Sequence, residues 1–310
     1  MTTTPPANLH RELALLALLA ALWGSSYMLI KVALTSFPPI TLMAIRVTLA
    51  AMLLLSVLRI HGEPLPSDAD SWKKLFVQSL LNSSLAWLVL AWGQQYVPSG
   101  MAGVLNSTSP LFVFLITALL PGTTAGGSNS ALKTIGVLLG FVGVILVIGV
   151  DAFAGLAGSG KQFFAQIAVL FGAFLYACAA LNGKTLAHLS PLATATGTML
   201  WAALSLVPLC LLFEQPWTIR PSWRAVFAVV VLAIFCTGLA LFVYFRLIKT
   251  LGAMGTASQA YLRAGVSVLL GIFVLGETLS LSVLLGLVAT IVGVAMINWP
   301  ARSALKGNPK

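Results

Sequence analysis

Residues 75–132, LFVQSLLNSSLAWLVLAWGQQYVPSGMAGVLNSTSPLFVFLITALLPGTTAGGSNSAL, run from Lys74 to Lys133 without a charged side chain in 58 positions. A membrane-spanning helix takes roughly 20 apolar residues at about 1.5 Å of rise each. The stretch therefore holds two such helices, joined at Tyr96-Val97-Pro98-Ser99. Similar uninterrupted runs recur at 13–30, 162–183, 189–213, 225–245 and 278–299. None alternates polar and apolar as the strands of a membrane barrel do. The whole chain is 59% hydrophobic and 8% charged, with a mean hydropathy of +1.01. A domain of 310 residues with that composition could not cover itself with polar surface in water, so the bilayer is its solvent and the fold class is all-α integral membrane.

Taking Pro, Gly and charge as punctuation, ten transmembrane helices are expected at about 11–34, 38–60, 72–96, 98–120, 131–150, 163–187, 190–213, 222–249, 253–275 and 280–299. Tight connections such as Ser36-Phe37-Pro38-Pro39 make neighbours antiparallel. The net charge of +10 comes from residues scattered through short loops, not from a patch interleaved with aromatics, so nucleic acid is not the partner. Those residues carry topology instead. With both termini cytoplasmic, eleven of the 17 Lys and Arg fall on the inner side and three, Lys161, Arg220 and Arg224, on the outer. Lys31, Arg46 and Arg263 fall within spans, and the bias sets N-in, C-in. The first apolar run is longer than a signal-peptide core and lacks a clear cleavage site, so it is expected to remain as the first helix. Cys178, Cys210 and Cys236 lie inside apolar runs without metal-ligand spacing, which argues for packing and against disulfides or zinc.

Sliding the chain by 154 residues lays Leu85-Ala86 on Leu239-Ala240, Val89 on Val243 and Gly122 on Gly276. A shift of 150 lays Gly136 on Gly286 and Gly143-Val144 on Gly293-Val294. Two five-helix repeats are expected, residues 1–150 and 151–310. Five is odd, so the second repeat enters the membrane inverted relative to the first. Inverted duplication is a mark of secondary transporters, which hold substrate near the midplane between the repeats.

Trp23-Gly24-Ser25-Ser26, Lys31, Pro38-Pro39 and Arg46 resemble the opening of the EamA-type, ten-helix branch of the drug/metabolite transporter superfamily. Gly252-Ala253 through Ser258, Tyr261-Leu262, Gly271, Leu275-Gly276-Glu277, Gly286 and Gly293 are similar to its closing helices. Within that branch the chain looks most like the YddG-type exporters of aromatic and other neutral amino acids. The resemblance implies an inner-membrane carrier of small molecules, bathed in lipid, with no cofactor; Gly136, Gly140, Gly143, Gly286 and Gly293 suit packing within the bundle first and dimer contact second, so a monomer or weak homodimer is expected. It implies a basket in which helices 3, 4, 8 and 9 surround a central cavity, helices 1, 2, 6 and 7 flank them, and 5 and 10 are peripheral. It also implies export; efflux of amphipathic drugs or other metabolites is the alternative. Two departures stand out. Ala264, preceded by Arg263, replaces the family's usual Pro in the ninth helix, and Gly122-Thr123 stands where the first half would have Gly-Glu.

Arg263 is the leading substrate-binding candidate. It lies about 15 Å into a helix starting near Ala253, where an unpaired cation costs at least ~2.5 kcal/mol. It either meets a substrate carboxylate or ties backbone carbonyls together. Gln259, one turn earlier, and the adjacent Tyr261 can line the same cavity, or Gln259 can bond a neighbouring helix. Ser109 corresponds to Arg263 in the other repeat, within Asn106-Ser107-Thr108-Ser109-Pro110. Pro110 lacks an amide hydrogen, which frees the Asn106 carbonyl either for a substrate ammonium or for a Ser or Thr hydroxyl at a kink. Ser83 and Trp87 on helix three, Trp23 and Tyr27 on helix one, and Tyr244 on helix eight complete the candidates, with core packing as the competing reading for each aromatic. Lys31 reads as a snorkelling residue before a gate. Arg46 lies about 11 Å below Pro39 and is either functional or a tie between helix ends.

All seven acidic residues fall in loops or at helix ends, so no mid-membrane carboxylate is available to exchange protons or hold a lipophilic cation. His10, His61 and His188 are equally peripheral. Without a nucleophile, an acid–base pair or a metal cluster in a span, the chain is not expected to be an enzyme.

Overall fold

The computed structural model describes residues 9–119, 130–148, 160–244, 246–247, 250 and 259–297. Among these, the long helices are α1 (Leu9–Ala33), α2 (Pro39–Ile60), α3 (Ala69–Gln94), α4 (Ser99–Leu119), α5 (Ser130–Ile148), α6 (Lys161–Asn182), α7 (Pro191–Phe213), α8 (Trp223–Tyr244), α9 (Gln259–Leu275) and α10 (Leu281–Ile297). Seven of them, α1–α4 and α6–α8, are long and apolar enough to cross a bilayer, while α5, α9 and α10 contain shorter apolar helices. The expected repeat junction at 150/151 lies outside the described residues.

The helix starts follow from local chemistry. α2 and α7 open on Pro39 and Pro191, which occupy a position whose N–H has no helical acceptor in any case. Ser190, Ser222 and Asp68 cap α7, α8 and α3 through the amides of Ala193, Ala225 and Ser71. Met52, Leu138, Leu204, Phe227 and Phe273 stand exposed on the outer faces of their helices. An apolar exterior of that extent suits lipid and not water.

α2 packs on α7, α1 on α8 and α9, α3 on α6, and α4 on α9, while α5 and α10 pack chiefly against one another. The α5–α10 seam explains the glycines at those positions. A Cβ on Gly286 would stand 2.6 Å from the Gly143 carbonyl oxygen, and one on Gly293 would stand 2.5 Å from that of Gly136. The two backbones touch, so the small face is used inside the chain. Gly286→Val is expected to lower stability by about 1–3 kcal/mol through overpacking. Gly265→Ala, whose Cβ would meet nothing within 4 Å, is expected to stabilise by up to about 0.5–1 kcal/mol. Thermal melts of the two purified variants in one detergent check the opposite signs.

Three irregularities interrupt the long helices, of which the sequence marks only the kink before Pro110. α3 widens to a π segment at Leu80–Ser84 and α8 at Ile234–Leu239, starting 154 residues apart. α4 breaks at Ser107-Thr108, just before Pro110, where a helical N–H is missing. All three lie in the middle of their helices, beside the site.

Candidate functional site

Four side chains lie in one layer. Tyr27 is six residues from the end of α1, Arg46 seven past Pro39, Trp87 seven before Gln94 and Asn106 seven past Ser99. At 1.5 Å per residue each is about 10 Å beneath the face where α1 gives way to α2. All four are buried. Asn106 Nδ2 donates to Tyr27 Oη at 2.5 Å, and Trp87 Nε1 donates to Tyr176 Oη of α6 at 2.5 Å. The other end of the Asn106 carboxamide, Oδ1, is buried with no partner.

Arg46 ties α2 to this layer. Its guanidinium carbon stands 3.6 Å from the centre of the Trp87 ring, and Nε donates to Thr237 Oγ1 at 3.0 Å. Thr237 belongs to the π segment of α8, and its hydroxyl in turn donates to Leu232 O, five residues back, at 3.0 Å. Among the described residues no carboxylate pairs with Arg46. A desolvated cation–π contact is worth about 2 kcal/mol and a hydrogen bond to a charge about 1.5–3. Burying a cation costs several kcal/mol, which these two contacts offset in large part while leaving the guanidinium's terminal nitrogens unused. Arg46 as a whole is only 5% exposed.

The other sequence candidates divide. The Arg263 carbonyl would lie 3.0 Å from a Cβ on Gly24, nine residues from the end of α1, which puts Arg263 at mid-depth. It is half-buried, and its Nε has no partner. Gln259 is 7% exposed, with an unpartnered Oε1. The side chain of Tyr261, like residues 251–258, lies outside the described residues. Ser109 Oγ donates to Asn106 O at 2.8 Å, so the carbonyl released by Pro110 is taken by a hydroxyl at the kink. Ser107 and Thr108 likewise bond back to Gly103 O and Leu105 O. Ser83 is buried in the π segment of α3, where Asn82 Nδ2 reaches it at 3.2 Å. Trp23 and Tyr244 pair with one another. Their ring centres are 5.3 Å apart, against an α1–α8 cluster of Leu16, Leu19, Ala240, Val243 and Leu247.

Sequence reasoning did not single out Tyr176 or Thr237. Thr237 had a signal, since it lies 154 residues from Ser83, at the offset that aligns the two halves. The peripheral charges also have work that sequence did not assign. On the α1–α2 face, Glu214 after α7 accepts from Ile40 N at 3.0 Å and Thr41 N at 2.6 Å. Glu277 after α9 accepts from Ser99 N at 2.7 Å, Ser99 Oγ at 3.0 Å and Gly100 N at 3.1 Å. Both carboxylates thus sit on helix N-termini, where amide donors and the helix dipole favour an anion. Lys31 does the converse, donating to Gln94 O at 2.7 Å and Val97 O at 3.1 Å at the end of α3. It caps a helix; it does not snorkel to water. On the opposite face Glu63 accepts from the Ser190 hydroxyl at the start of α7. Beside it a cavity of about 410 Å³ is lined by His61, Glu63, Pro191, Leu192, Phe242, Arg246 and Thr250. There Glu12, 2% exposed, pairs with Arg246 at 3.3 Å and Thr250 at 2.7 Å. No group of three or more potential metal ligands occurs among the described residues.

The sequence profile of the EamA-like transporter family matches residues 11–149 and 163–299. The uncharacterized inner membrane transporter YedA of Escherichia coli (strain K12) is 29% identical over 259 residues, covering 84% of this chain and 81% of that one. The uncharacterized transporter YvbV of Bacillus subtilis (strain 168) is 27% identical over 302 residues, covering 94% and 93%. A crystal structure of another protein superposes with a TM-score of 0.65 at 19% identity, covering 91% of this chain and 96% of that one, and so shares the fold.

Proposed function

The chain belongs to the EamA-like transporter family, and from that premise we propose that it moves neutral and aromatic amino acids across the inner membrane by alternating access. The observation that carries this reading is the buried layer. Trp87, Tyr27 and Tyr176 offer ring surface for an apolar or aromatic side chain. The buried, unpartnered Asn106 Oδ1 is an acceptor for an ammonium, and a mid-span arginine is a complement for a carboxylate. A zwitterion supplies each in one small molecule. Ten crossings, arranged as two inverted five-helix repeats with both termini cytoplasmic, are part of the same reading. Its support is the 154-residue offset between the two π segments and the loop charges.

Under this topology the α1–α2 face is the outer one. Glu214, Glu277 and Lys31 close it by holding loops and ends of one half against helix ends, while the opposite face opens into the cavity beside Glu63. Exchange of the two sets of contacts would carry the layer from one face to the other. Among the described residues no carboxylate enters the layer, so movement down the amino-acid gradient is the simplest energetics.

Counterflow in liposomes tests the reading. Vesicles loaded with unlabelled phenylalanine or leucine are expected to draw in labelled phenylalanine, with no dependence on a pH or Na⁺ gradient. Exchange of an amphipathic cation with none of an amino acid would overturn it in favour of drug efflux.

A further inference from the structure

We propose that the carried molecule must bear a carboxylate and that Arg46 binds it, a role sequence position alone gives to Arg263. The inference rests on the substrate reading above and narrows it to one protein group and one ligand group.

The argument starts from what the Arg46 guanidinium has left to give. Its face is covered by Trp87 and its Nε is bonded to Thr237. The two terminal nitrogens find no acceptor among the described residues. Those nitrogens form the planar fork that matches a carboxylate with two parallel hydrogen bonds. The pairing of Nε and the stacking on Trp87 fix the plane of that fork, so its direction is set before any ligand arrives.

The hydroxyls around it point the same way. Tyr27 Oη accepts from Asn106, and Tyr176 Oη accepts from Trp87. Each phenol oxygen is therefore engaged as an acceptor while its O–H proton is not donated to any described residue. Trp87 links Arg46 to one of them, stacking on the guanidinium and donating to the Tyr176 hydroxyl. The layer thus holds a cation and two unspent O–H donors at one depth, and among the described residues no carboxylate pairs with them. A lipophilic cation has nothing to bind there except the single Asn106 Oδ1 and the ring faces. A carboxylate answers every unspent donor. Arg263 is half-buried, and no described ring stack or hydrogen bond fixes the direction of its guanidinium.

The test is equilibrium binding to the purified full-length protein in nanodiscs, using L-phenylalanine, L-phenylalaninamide, 3-phenylpropionate and 2-phenylethylamine. Replacing the carboxylate of phenylalanine by the amide is expected to weaken binding to the wild type by about 10–100-fold. In Arg46→Met the acid and the amide are expected to bind alike, whereas Arg263→Met keeps the acid-to-amide ratio. The proposal is overturned by an amide that binds the wild type as well as the acid does. It is equally overturned by an acid preference that survives Arg46→Met, or by phenylethylamine binding more tightly than every carboxylate. If Arg46→Met does not fold, Arg46→Lys replaces it: a point charge without the fork should lose most of the acid preference, and full retention counts against the proposal. If phenylalanine does not bind but 3-phenylpropionate binds in an Arg46-dependent way, the Arg46 assignment holds and the amino-acid reading fails.

Discussion

Trp87→Ala is expected to abolish transport and to destabilise the protein by about 3–5 kcal/mol, the range for deleting a buried large aromatic. Trp87 is 7% exposed and does two things at once. Its ring carries the Arg46 guanidinium at 3.6 Å, and its N–H holds the Tyr176 hydroxyl at 2.5 Å. Alanine leaves a void beneath a buried cation and releases the phenol from α3. Trp87→Phe separates the two roles, because a ring face remains for the cation while the N–H is lost. That variant is expected to cost about 1–2 kcal/mol, to fold, and to transport at a reduced rate. Melting temperature in detergent and liposome counterflow measure the two effects. A Trp87→Ala protein with wild-type melting would mean that Arg46 does not depend on the ring, and the layer would lose its floor.

How much of this was legible in the sequence varies with the physics behind each feature. The helices were legible because lipid forces long apolar runs, and the 58-residue run between Lys74 and Lys133 leaves no other reading. The mid-depth position of Asn106, Trp87 and Tyr27 followed from counting residues along each helix, and the structure brings all three into one layer. The different surroundings of Arg46 and Arg263 did not follow from counting. Depth along a helix gives the cost of a charge but not its azimuth, and azimuth decides whether a guanidinium meets Trp87 and Thr237. The π segments shift that azimuth without leaving a residue signature, so the approach of Thr237 to Arg46 was hidden. The Asn106 carbonyl shows the opposite case. Pro110 correctly marked a freed acceptor, but the local competitor Ser109 reaches it at 2.8 Å. Glu214 and Glu277 read as loop charges because helix N-termini become visible as partners only when the helices are assembled.

Glu277→Gln is expected to move the resting protein toward a state open at the α1–α2 face, by about 10–100-fold in population. The carboxylate arrives from a turn fixed by Gly276 at φ +67 and by the Glu277 amide on Gly271 O at 2.9 Å. It then accepts three hydrogen bonds at the start of α4. A hydrogen bond to a charged group contributes about 1.5–3 kcal/mol. A contact made in one state only shifts a two-state equilibrium by its own free energy, tenfold for about 1.4 kcal/mol. Glutamine keeps the shape and one acceptor oxygen but removes the charge that the α4 N-terminus attracts. The readout is a cysteine at Met101, which is 8% exposed and lies just beneath the latch, in a background where Cys178, Cys210 and Cys236 are replaced by alanine. A membrane-impermeant maleimide should label it faster in Glu277→Gln, and Glu214→Gln, which frees the amides of Ile40 and Thr41, should act in the same direction. Glu63→Gln loosens the opposite face and should slow labelling or leave it unchanged. Equal rates in all three would reduce the carboxylates to helix caps, and the closing of the α1–α2 face would have to come from apolar packing alone.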